Sequence, residues 1–176
     1  MSEPKRYVLT LAFDVDQVTR ALQYSIENEE GSPYRAEGRC AGTLQLDEGT
    51  ELILNVQGYS RKKDAANFVI TDCVLAFIPT LPVGTVELSM FDQHRATTHI
   101  SEWGLPHKAK EEDKNVIATI PALHPLTVIA KNGQWEMSGY LSVLIEKQNK
   151  GETQTQSRLF YFDPEMTSGT GGDIID

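Results

Sequence analysis

The sequence predicts an all-β domain, an antiparallel β-sandwich of the immunoglobulin-like or jelly-roll kind, with at most one short helix near the N-terminus. Three observations predict it. Apolar runs recur every 8–14 residues with turn residues between them. Within most runs apolar and polar residues alternate, the period of a half-buried strand. Asn132-Gly133, between Val128-Ile129-Ala130 and Trp135, suits a two-residue hairpin turn, because both residues tolerate positive φ.

The elements follow in order. Tyr7, Leu9, Leu11 and Phe13 alternate and predict an opening strand. From Asp16 to Glu30, Val18, Ala21, Leu22 and Ile26 recur at helical spacing, with Asp16 or Thr19 as a cap and Gly31 as a stop. Tyr24-Ser25-Ile26 reads equally as a strand, so both alternatives stay open. Leu52, Leu54 and Val56 alternate between Gly49 and Gly58. Phe68 to Pro79 is too apolar for a strand with a wet face and predicts a central strand buried on both sides. Further strands are expected at Thr85–Phe91, Val116–Ile120 and Leu126–Ala130. Asn132-Gly133 predicts a hairpin pairing Leu126–Lys131 with Trp135–Lys147. A polar loop, Gln148 to Ser157, then leads to a last strand, Leu159 to Phe162. The two cysteines precede both tryptophans, so the Cys-Trp-Cys order of true immunoglobulin domains is missing.

A chain of 176 residues fits one domain, expected over residues 1–166. Residues 167–176 are rich in Gly, Ser and Thr and predict a flexible tail. Lys and Arg number 16 against 25 Asp and Glu, a net charge of -9. That charge repels phosphate backbones and excludes nucleic acid and anionic membrane as partners. The densest basic run, Arg61-Lys62-Lys63, is followed by Asp64 and reads as a solvated loop tip. No apolar stretch approaches the about 18–20 residues of a membrane helix, and the first residues carry no export signal. The expected location is therefore cytoplasmic, with Cys40 and Cys73 reduced and inert.

Candidate chemistry is sparse. His94, His99 and His107 fall within one segment, and three imidazoles can hold zinc, which would make a metal-dependent hydrolase. His94 and His99 are five apart, however, which on a strand points them to opposite faces. The bland expectation is a loop of exposed histidines, His124 lying beyond it. Asp14 and Asp16 end the first strand, and Asp163 and Glu165 end the last. If those ends met, four carboxylates would bind calcium. Acids also end strands simply because they favour turns. Trp103 lies in an irregular segment, where an aromatic either anchors a ligand or covers the core. No nucleophile elbow, phosphate loop or dinucleotide fingerprint occurs, and no cofactor is expected.

The aromatic strand closing on Asp-Pro, Leu159-Phe160-Tyr161-Phe162-Asp163-Pro164-Glu165, resembles the C-terminal end of small bacterial inclusion-body proteins of the AidA/PixA type. It also resembles that of the DP-EP family of β-proteins. The resemblance covers about a tenth of the chain. It implies a cytoplasmic bacterial β-sandwich that self-associates, and brings no site residues with it. The function expected is thus a non-enzymatic interaction or self-assembling protein, whose partner is another protein or a second copy. The alternative is a small-ligand, sugar or calcium binding module using the carboxylates or Trp103.

Overall fold

The computed structural model describes residues 4–27, 44–61, 66–81, 89–92, 96–108, 115–130, 133–149, 151–162 and 165–168. The strands are β1 (Arg6–Asp14), β2 (Gln23–Glu27), β3 (Leu44–Leu46), β4 (Glu51–Tyr59), β5 (Ala66–Leu81) and β6 (Thr97–His99). They continue as β7 (His107–Lys108), β8 (Val116–Pro121), β9 (Leu126–Thr127), β10 (Gly133–Asn149), β11 (Glu152–Phe162) and β12 (Glu165–Ser168). One six-stranded sheet runs β2-β1-β4-β8-β7, with β9 also on β4. The other runs β3-β12-β10-β5-β6, with β11 also on β10. The all-β sandwich expected from the sequence is what the chain forms.

Alternation builds the core. Leu9, Leu11 and Phe13 of β1 and Leu52, Leu54 and Val56 of β4 point inward from the first sheet. Cys73, Leu75 and Phe77 of β5, Leu141, Val143 and Ile145 of β10, and Phe160 of β11 meet them from the second. Each such Leu or Phe contributes about 1.5–3 kcal/mol by leaving water. At one end the Phe13 ring lies between two rings of the opposite sheet. It meets Phe68 edge-on at 5.1 Å and stacks on Phe160 at 5.0 Å. Gly58 makes room for this, because a Cβ there would sit 2.4 Å from the Phe68 ring.

The structure corrects several expectations. Two pairings are parallel, β1 with β4 and β12 with β3. No helix forms within 16–27. After β1 the chain turns on Asp14, whose Oδ1 accepts from the Asp16 amide at 2.8 Å. Gln17 then ties the loop, accepting from the Asp14 amide and donating to the Thr19 and Ala21 carbonyls. Val18 is 94% exposed and Ala21 is exposed while Leu22 and Ile26 are buried, so the four residues at helical spacing do not share one buried face. The strand alternative, at Tyr24-Ser25-Ile26, is the one adopted.

The hairpin predicted at Asn132-Gly133 does not form. Leu126 pairs with Leu52 of β4 in the first sheet, whereas Trp135 pairs with Pro79 of β5 in the second. The chain changes sheets there because both edges of β10 are taken, by β5 on one side and β11 and β12 on the other. Asn132 itself lies outside the described residues. The hairpin that does form joins β10 to β11, where Asn149 pairs with Glu152 and Gly151 takes a φ of 87°. The predicted polar loop 148–157 is thus the end of one strand and the start of the next. β12 then follows β11 and carries pairing to Ser168, past residue 166.

β5 is central but not buried on both faces, since Val69 and Ile78 are about half exposed. Its register against β10 shifts between Ser142 and Val143, leaving Thr71 as an extra residue. That bulge changes the phase of the alternation, so Phe68 and then Cys73, Leu75 and Phe77 all face inward. The expected strand at 85–91 falls mostly outside the described residues; Met90 and Phe91 at its end are buried.

The Gly58–Phe68 contact is testable. Gly58→Ala should lower stability by about 1–3 kcal/mol through overpacking. In a Phe68→Leu background the same change should cost less. Urea denaturation of the four chains measures both.

Candidate functional site

Asp14 and Asp16 are not brought together with Glu165. Asp16 bonds Lys147 of β10, Nζ to Oδ1 at 2.6 Å. The Glu165 backbone pairs with Glu136, eleven positions earlier on the same strand. At about 3.3 Å per residue those points are on the order of 30 Å apart. Asp163 lies outside the described residues, and among those described no group of three metal-binding side chains occurs.

His99 and His107 separate as well. His99, on β6, sits in the second sheet and His107, on β7, in the first. His94 lies outside the described residues. Two imidazole–carboxylate contacts do form. His124 Nε2 lies 2.9 Å from Glu102 Oε2, and His99 Nδ1 lies 3.8 Å from Asp72 Oδ1. His99, Glu102 and His124 line one cleft of about 250 Å³. Tyr140 donates its hydroxyl to the other oxygen of Asp72 at 3.1 Å. Partial burial, that hydrogen bond and the Asp72 charge all push the Tyr140 phenol upward. Asp72 and Glu102 stand out by no local pattern in the sequence, because they meet His99 and His124 across 27 and 22 residues. Trp103 is half-buried against the core and bridges Ala122.

Cys73 is fully buried and points into the core. Burial, and then the Asp72 charge, push its thiol up to about 12. A thiol held neutral this way is neither a nucleophile nor a metal ligand.

The remaining feature of the second sheet is its edge. Beside β10, β11 pairs without a break from Glu152 to Phe162. At Tyr161 its outer side is covered. The Tyr161 amide donates to Arg20 O and its carbonyl accepts from the Leu22 amide, each at 2.8 Å. Both backbone groups of Tyr161 therefore point away from β10. In antiparallel pairing this orientation alternates along the strand. Leu159, Ser157, Thr155 and Thr153 consequently point their amides and carbonyls outward too. Among the described residues no strand pairs with the outer side of Glu152–Arg158. Residues 152–157 are exposed, and the stretch carries no proline.

The loop after β1 lies against the inner side of this edge. Arg158 Nη2 donates to Gln17 O at 2.9 Å, and the guanidinium lies 5.2 Å from the Phe160 ring centre. Arg20, Lys147, Arg158 and Asp16 line an open groove of about 650 Å³ here.

The fold and the edge define a β-sandwich in which, among the described residues, the outer side of β11 is unpaired from Glu152 to Arg158. No protein-family model and no curated protein matches the sequence. Among solved structures the chain is similar to an inclusion body protein, PixA, from Burkholderia cenocepacia J2315. The identity is 8% and the TM-score 0.40, over 96% of this chain and 97% of that one. The match is to the type of protein that the aromatic C-terminal strand resembles. At that identity and score it transfers neither function nor residue roles to this chain.

The buried thiol gives a prediction. Cys73 should resist a thiol reagent at pH 8 in the folded protein and react once urea unfolds it. A thiol raised in the folded state stabilises fully below its unfolded value, near 9. That contribution is lost as pH rises toward 12. Relative to Cys73→Ala, the parent should therefore lose stability over that window in pH-dependent urea melts.

Proposed function

We propose that the protein works without catalysis, as a self-associating β-sandwich, and that the open edge of β11 carries the association. The observation behind this is the row of outward backbone groups from Thr153 to Leu159. An unpaired edge is a template for another strand, and proteins usually guard such edges with proline, charge, bulges or short length. β2, β3, β6 and β7 follow that rule by length, at five, three, three and two residues. β11 has eleven residues and only Glu152 and Arg158 as charges. Strand addition of this kind draws affinity from main-chain hydrogen bonds. The excess of acids over bases supports a protein partner over nucleic acid.

A second reading, small-ligand binding, is favoured by the groove at Arg20, Lys147 and Arg158. Three cations against Asp16 suit an anion and not calcium. Inorganic phosphate, compared with chloride at equal ionic strength, should then raise the melting temperature, since ligand at about 100 Kd adds about 2.7 kcal/mol. No shift at high millimolar phosphate removes this reading.

For self-association, sedimentation velocity should show mass rising with concentration. Thr155→Pro should abolish that rise while leaving the thermal melt intact. The amide it removes points to solvent and not to β10, the position where an edge strand tolerates proline. A strict monomer at high concentration overturns the proposal.

A further inference from the structure

Resting on the self-association reading, we infer that the partner is a second copy of this chain, and that the two β11 edges pair antiparallel about a two-fold axis at Thr155. The stretch that is free runs from Glu152 to Leu159, and its only two charges are Glu152 and Arg158. It begins just after the turn at Gly151 and ends before Tyr161, where Arg20 and Leu22 occupy the edge. Thr155 is the midpoint between those two charges. An antiparallel pair centred there sets Glu152 opposite Arg158, Thr153 opposite Ser157, Gln154 opposite Gln156, and Thr155 opposite itself.

Three features of this register agree. First, Thr153, Thr155 and Ser157 carry the outward amides and carbonyls, and here they face one another, so each strand meets the other's donors and acceptors. Second, the only two charges of the stretch meet with opposite sign, twice by symmetry. Third, the polar partners match in kind, Thr with Ser, Gln with Gln and Thr with Thr. Moving the axis one residue either way takes Glu152 away from Arg158 and sets one of them opposite Gln.

Arg158 is prepared for the contact. Its bonds to the Gln17 and Thr19 carbonyls both run from Nη2. A guanidinium carries five donors, so it can hold the loop and still reach a carboxylate. The pairing is also closed. An isologous contact uses the same patch on both copies and ends at two.

The test separates the register from self-association itself. Glu152→Arg alone sets Arg opposite Arg, and Arg158→Glu alone sets Glu opposite Glu. Each variant by itself should associate about tenfold more weakly than the parent, or worse. Mixed in equal amounts, the two variants should form a heterodimer, because every cross-chain pair is again of opposite sign. Thermal melts confirm that each variant is folded. A second measurement does not depend on Arg158. Thr155→Cys should form a disulfide-linked dimer under mild oxidation and Gln154→Cys should not. Residues directly opposite in such a pair lie about 5.5 Å apart at Cα, within disulfide reach. A monomeric parent overturns both the function and the register. A parent that associates, with mixing giving no rescue and residue 155 not cross-linking, overturns the register alone.

Discussion

The contact of the Phe13 ring with Phe68 and Phe160 is the one on which this end of the molecule depends. Phe13 belongs to one sheet and both of its ring partners to the other. Aromatic pairs at this spacing contribute about 0.5–1.5 kcal/mol each beyond the area they bury. Their geometric effect is as large as their energetic one. They fix β1 against β11 at the place where the chain leaves β1. Gly58 is the complementary constraint, since β4 must come close enough to carry no side chain beneath Phe68.

From that fixed point the following loop has little freedom. Asp14 starts the turn, Gln17 holds it closed, and Arg20 to Leu22 reach the edge of β11 at Tyr161. The loop thereby does two things at once. It closes the aromatic end of the β11 edge and it seats Arg158 through the Gln17 carbonyl. Packing in the core therefore decides where the open edge ends and which cation stands at its end. Core, loop and edge form a single chain of cause.

How much of this the sequence shows depends on the range of the interaction. β1, β4 and β8 are legible because each buries one face and alternates. β5 misleads because its alternation changes phase at Thr71, and an apolar run with a bulge looks like a run buried on both sides. Asn132-Gly133 misleads because turn chemistry is local, while pairing is decided by which edges are already occupied. The start of β11 is the hardest case. Glu-Thr-Gln-Thr-Gln-Ser has no buried face, so it carries no hydrophobic period and reads as a loop. It is a strand because β10 supplies a full row of backbone partners. Among the candidate site residues, the chain positions of Asp14, Asp16 and His99 were visible, but their partners Lys147 and Asp72 come from distant strands.

The net charge of -9 acts on the same edge. Copies carrying that charge repel one another over most approaches, and self-repulsion of this kind keeps proteins apart in solution. The repulsion spreads over the whole surface and is screened beyond about 8 Å at physiological salt. A carboxylate and a guanidinium in contact lie well inside that length. Most encounters between copies are thus unfavourable, and the proposed pairing, which would bring Glu152 to Arg158 twice, would be set apart from the rest. Acidity, read from composition alone as an argument against nucleic acid, would in the proposed dimer also disfavour the other ways of pairing.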